Sequence, residues 1–250
     1  MEALQTITSH KHLFAIICPI NVARFRSLLG AHPNRVFVES VCLALEHGFW
    51  PWADTSQDYP VTSDKPNRAP PSQRHLDFIE AQFNEEVAHE RFSPAFGTQL
   101  LPGMYSVPVH AVPKPHSEKL RLVVDHSAGE PSLNSMIDRD LISGTKMDGM
   151  RSLGASLLKF REAHPHERLV MFKSDISAAY RRMPMHPLWQ IKQIVTAPNG
   201  QRHVDRCNNF GGSGSCKIWL AFMALVIWIA IFVKRLEALK LYVDDTYGFE

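Results

Sequence analysis

The chain has 250 residues, 45% of them hydrophobic and 21% charged, and carries a net charge of +2 with histidine neutral. This is the composition of a globular protein with a real apolar core, and the length suits one large domain or two small ones. The near-balance of charge excludes a uniformly basic nucleic-acid coat, so any basic surface must be local.

The four cysteines, Cys18, Cys42, Cys207 and Cys216, form no CxxC pair, which excludes a disulfide framework. They read as reduced thiols of an intracellular protein, cytoplasmic or nuclear. His203 and Cys207 have ligand-like spacing but no second pair, so no zinc site is expected. Leu13 to Ile17 is too short for the apolar segment of a signal peptide.

In chain order, residues 1–52 read as a helical region. Asn21 suits the cap of a helix Val22 to Leu29, and Asn34 the cap of a second helix, Arg35 to His47, which Gly48 ends. Residues 53–71 are polar, with prolines at 60, 66, 70 and 71, and read as a linker. Residues 72–167 open with a helix from Ser72 or Gln73 to about Arg91, carrying Leu76, Ile79, Phe83 and Val87 at helical spacing. A hairpin follows, Met104 to Pro113 paired with Leu120 to Asp125, placing Lys114 and Arg121 on either side of one turn. There, a lysine point charge and an arginine fork could share one anion. A helix from Asp148 or Gly149 to about Ala163 completes this region.

Residues 168–250 begin with a strand, Arg168 to Asp175, that ends in an acid. The small residues Ala178 and Ala179 leave room beside it for a ligand, and Tyr180 offers a flat ring. Leu188 to Thr196 and Arg202 to Arg206 read as strands joined through Asn199-Gly200. The glycine-rich turn Phe210 to Ser215 leads into a helix expected to run to about Lys240. That helix contains sixteen residues without a polar side chain, Ile218 to Val233. A membrane span needs about 20 such residues, and a fully buried helix shows the same pattern.

The last ten residues, Leu241 to Glu250, read as a hairpin with Asp244-Asp245 at its tip. Adjacent carboxylates resist joint ionisation unless a cation lies between them. Magnesium takes hard oxygen ligands and commonly uses one or two carboxylates together with substrate phosphates. The order strand–acid, small hairpin, glycine turn, helix, acid–acid hairpin fits a ferredoxin-like split βαβ unit of an α+β protein.

With those residues in view, the chain from about residue 100 to 250 resembles the reverse transcriptases of retrotransposons, of DIRS-like or long-terminal-repeat-like type. Tyr242-Val243-Asp244-Asp245 resembles their Y-x-D-D box. Asp175-Ile-Ser-Ala-Ala-Tyr180 is similar to their first acidic motif, Asn209-Phe210-Gly211 with Ser215 to their template grip, and Lys114-x6-Arg121-Leu-Val-Val-Asp125 to their fingers hairpin. The resemblance implies a polymerase palm with fingers elements and an N-terminal helical region, and no thumb before the chain ends five residues after Asp245. It implies RNA-directed DNA synthesis by two-metal nucleotidyl transfer.

In the roles so implied, Asp175, Asp244 and Asp245, with the backbone of Ile176, hold two magnesium ions, or manganese. Lys114, Arg121, Ala178, Ala179 and Tyr180 bind the deoxynucleoside triphosphate. Phe210, Gly211, Gly212, Ser215 and Tyr242 meet the template–primer. The sequence departs from the family pattern at Ser127, where an arginine is usual, and at Asn209 and Cys216, where prolines are. A non-catalytic nucleic-acid-binding remnant and a membrane-anchored protein using Ile218 to Val233 stand as alternative readings.

Overall fold

Polar punctuation sets the N-terminal helices. In the computed structural model, which describes residues 2–144, 147–236 and 239–249, α1 (Glu2–Ser9) precedes α2 (Val22–Leu28) and α3 (Arg35–His47). Asn21 accepts the backbone N–H of Arg24, and Asn34 that of Phe37, so each helix has one of its unpaired donors satisfied by its cap. Gly48 stops α3 with φ of 92°, and a Cβ there would lie 2.4 Å from the backbone of His186, so only glycine fits.

The fold continues with α4 (Gln73–Ala88), the antiparallel pair β1 (Val109–Pro113) and β2 (Leu120–Val124), and then α5 (Arg139–Ile142) and α6 (Met150–Ala163). After β3 (Met171–Asp175) come α7 (Pro187–Gln190), the pair β4 (Ile194–Thr196) and β5 (Arg202–Val204), the apolar α8 (Ser215–Trp228), β6 (Leu239–Tyr242) and β7 (Asp245–Phe249). This is a mixed α+β architecture with three small antiparallel sheets among the described residues. The sheet that matters most has the order β3-β7-β6.

One apolar core draws on Phe25 of α2, Val38 and Leu45 of α3, Ile79 and Phe83 of α4, Val109 and Val124 of the first hairpin, and Trp219 and Met223 of α8. Stretches that read in the sequence as separate regions therefore share one interior. A smaller cluster joins Leu13 and Phe14 to Met104, Ile191, Ile194 and Val204.

Several elements differ from their expected bounds, each for a local reason. The strand expected from Met104 begins at Val109. Upstream of it, Tyr105 donates to Ile191 and accepts from Ile194, and Val107 donates to Ile194, so that backbone is committed elsewhere. The strand expected from Leu188 starts as a short helix because Pro187 sits at a first helical position and the His186 ring accepts the N–H of Leu188. The third helix stops at Ala88 rather than Arg91, and α1 was not foreseen. The helix expected to reach Lys240 instead ends in a π-helical turn, Ile229–Val233, closed by Lys234 N–H on the Ile229 carbonyl. Residues 237 and 238, which fall in that expected helix, lie outside the described residues.

The run Ser215–Val233 is long and apolar enough to cross a membrane, with a mean hydropathy of 2.4, a test that core helices of soluble proteins also pass. Ile218, Trp219, Leu220, Phe222, Met223 and Leu225 are buried in the protein, whereas Phe232 and Val233 are exposed.

Candidate metal centre

Strand register brings the acids together. β3 and β7 run antiparallel with Asp175 directly opposite Asp245, and β7 pairs with β6 so that Tyr242 also faces Asp245. Val243 and Asp244 are left as a two-residue tip. The backbone N–H of Ile176 donates to the carbonyl of Asp244 at 3.2 Å, which ties the segment after β3 to that tip. The result is a cluster in which one carboxylate oxygen from each of Asp175, Asp244 and Asp245 lies within 4.8 Å of the others. Asp175 is exposed and the other two are partly buried.

The donor set fits a hard divalent cation. All three groups are carboxylates, and neighbouring oxygens on one octahedral magnesium lie about 3 Å apart, so side-chain movements of up to about 2 Å would bring the three onto one ion. Lys173 answers part of the negative charge: its Nζ lies 2.8 Å from Oδ2 of Asp245. The hydrogen bond and charge of Asp245 hold this ammonium above its ordinary pKa, with Asp175 and Asp244 adding. The period-2 alternation of a strand puts Lys173 on the face that carries Asp175, a signal present in the sequence.

The hairpin that carries the acids is braced from two sides. The outer edge of β6 is closed by Asp148, whose N–H donates to the Leu241 carbonyl at 3.0 Å and whose Oδ2 accepts the Leu241 N–H at 3.1 Å. Behind the tip, the indole N–H of Trp219 donates to the Val243 carbonyl.

The other residues of the resemblance occupy distinct places. Tyr180 is only 7% exposed, because the ring of Phe210, itself 65% exposed, stacks over it with centroids 4.6 Å apart. Burial raises the pKa of the Tyr180 phenol. Ala178 faces solvent with φ of 52°, whereas Ala179 is buried. Gly211 packs on the end of β2: a Cβ there would lie 1.9 Å from the Val124 carbonyl oxygen. Asn134 fastens the same turn, donating to the Gly211 carbonyl at 2.9 Å and accepting the Ser213 N–H at 2.8 Å. Gly212 is half-buried, Ser215 buried and Tyr242 exposed. Lys114 and Arg121 are exposed near the turn of the β1–β2 hairpin, and among the described residues neither forms an ion pair with the carboxylates. The geometry thus gathers Asp175, Ile176, Asp244 and Asp245, and separately Tyr180 with Phe210 and the glycine turn.

Beside the glycine turn lies a buried polar network with no counterpart in the sequence reading. Arg181, adjacent to Tyr180, donates to Asp205, to Glu86 and to the carbonyls of Cys207 and Asn208. Asn209 donates to Nε2 of the buried His126 at 3.0 Å. The only foreshadowing of this network is the charged pair Arg181-Arg182 in an otherwise apolar stretch. His203 bonds the Ser93 carbonyl, and Cys207 is buried, its thiol pushed up to about 12 by burial. The described cysteines are all free thiols.

Set against known proteins, the chain matches no family model and no curated protein.

Proposed function

We propose that this chain is a reverse transcriptase-like palm-and-fingers region that carries out template-directed DNA synthesis by nucleotidyl transfer. The observation that carries this reading is the meeting of Asp175, Asp244 and Asp245 at the end of a three-stranded antiparallel sheet. The sheet order β3-β7-β6, with α8 packed behind the hairpin tip, supports a palm of the split βαβ kind.

Asp175, Asp244 and Asp245, with the carbonyl of Ile176, are the groups that would hold magnesium or manganese. Bound there, such ions supply Lewis acidity at a primer hydroxyl and neutralise a triphosphate. The chain's own side chains do the rest. Lys173 pairs with the half-buried Asp245 and offsets part of the negative charge of the cluster. Lys114 and Arg121 bring exposed positive charge to the fingers hairpin, where a triphosphate needs it. Phe210 presents an exposed flat ring on which a base or sugar can stack, and Tyr180 lies directly beneath it, ready to meet a sugar once Phe210 turns aside. Gly211 and Asn134 hold that platform against β2.

A second reading, nucleic-acid binding without synthesis, is favoured by one observation: Phe210 covers Tyr180, the ring that synthesis would need beneath a sugar. One experiment separates the two. Fluorescence anisotropy follows a labelled template–primer duplex with calcium in place of magnesium and each of the four deoxynucleotides in turn. Synthesis machinery predicts that only the nucleotide complementary to the next template base tightens the duplex, and that Asp175→Asn removes this effect. Duplex binding indifferent to every nucleotide selects the second reading, and absence of duplex binding rejects both.

A further inference from the structure

Resting on the metal-site reading of the three acids, we propose that Trp219 is a positioning residue for that site, its indole N–H aiming Asp244 and Asp245 through the peptide that joins Val243 to Asp244. The starting observation is a strained turn. Val243 has φ of 54°, a region that β-branched residues rarely enter. Such a conformation persists only where surrounding structure holds it.

The structure contains the holding group. Trp219 is fully buried in α8, and its Nε1–H donates to the Val243 carbonyl at 2.7 Å. The ring is itself fixed, packed beside Phe222 at 5.7 Å and Tyr180 at 6.4 Å between centroids. The carbonyl it grips belongs to the peptide unit that begins Asp244. Rotating that plane swings Asp244 away from Asp175 and breaks the two-residue geometry by which Asp245 enters β7. A buried indole N–H needs an acceptor, and here the acceptor is the tip of the carboxylate hairpin rather than a neighbouring helix turn. Trp219 thereby couples the rigid core helix to the one backbone segment whose orientation decides whether three carboxylates converge. Asp148 braces the strand below the tip and Ile176 ties the Asp244 carbonyl to β3, whereas Trp219 alone of the three grips the Val243 carbonyl.

The test measures binding of manganese to the whole chain by electron paramagnetic resonance, alongside thermal unfolding without metal. Wild type should bind manganese, and Asp244→Asn should not. Trp219→Phe keeps the ring stack and removes the donor. The expectation is a roughly tenfold weaker manganese affinity, in the range seen when groups behind a metal ligand are lost. Phe222→Leu, at a neighbour packed beside the same ring that donates no hydrogen bond to the turn, should lower the melting temperature and leave manganese affinity unchanged.

If Trp219→Phe does not fold, benzothienylalanine placed at position 219 alone substitutes sulfur for N–H at nearly constant shape and should give the same loss of affinity. Equal affinity in wild type and the donor-free variants overturns the positioning role, as does an equal loss in Phe222→Leu. Failure of wild type to bind manganese rejects the site reading itself, a result distinct from either.

Discussion

Arg181 and Asp205 form a buried ion pair in which NH1 of the guanidinium lies 2.8 Å and 3.0 Å from the two carboxylate oxygens. Asp205 is completely buried, and Nε and NH2 of the same arginine reach Glu86. This pair sits between the residue that follows Tyr180 and the strand that leads to the glycine turn, so it fixes their relative position. Replacing Arg181 with methionine would leave a buried carboxylate without its partner. The expected cost is about 3–5 kcal/mol, the usual penalty for breaking a buried pair from one side. Urea denaturation of Arg181→Met measures it, and a loss below about 1 kcal/mol would mean that the pair does not organise this region.

Stability should fall in mild acid. Burial, reinforced by the positive charges of Arg181 and Lys65, lowers the pKa of His126 to about 3. Its unfolded value is near 6.5, so the unfolded chain takes up a proton that the folded chain refuses. The contribution is complete above about pH 6.5 and is lost as pH falls toward 3, at up to about 1.4 kcal/mol per pH unit. Burial lowers His186 and His203 as well, adding to the slope. Denaturation midpoints between pH 7 and 4 should show this decline, and His126→Gln should reduce the slope by about one proton. An unchanged slope in that variant would contradict the burial of a neutral ring.

Lys173 and a metal compete for Asp245. The lysine side chain is 64% exposed, so the pair is a weak one, and its loss should be mild. Lys173→Met frees Asp245 and removes a positive charge from the site. Manganese affinity should rise by about 2–5-fold, the range that exposed pairs of this kind support. Weaker binding in Lys173→Met would show that the lysine orders Asp245 for the metal rather than occupying its place.

How far the sequence disclosed this arrangement depends on distance along the chain. The caps at Asn21 and Asn34 and the hairpin around Asp244 were legible, because each depends on a few neighbouring side chains. The mixed α+β class followed from the order of strands, turn and helix along the C-terminal part of the chain. Alignment of Asp175 with Asp245 was not locally legible, since strand register across seventy residues is set by packing of the whole sheet. For the same reason the sequence could propose a ring at Tyr180 but not the Phe210 ring above it. The contact of Trp219 with Val243 was hidden for a different reason: in an apolar run, one indole N–H is indistinguishable from core until its acceptor is known. The diversion of Tyr105 and Val107 to Ile191 and Ile194 shows the same limit, with an extended segment recruited by partners far away in sequence.

The most direct test of the central claim is primer extension by the purified chain on an RNA template and on a DNA template, first with magnesium and then with manganese, beside Asp244→Asn. The carboxylate cluster predicts incorporation of complementary deoxynucleotides that depends on the divalent ion and disappears in Asp244→Asn. Absence of incorporation with either metal while the duplex is still bound, or incorporation that survives in Asp244→Asn, would contradict it.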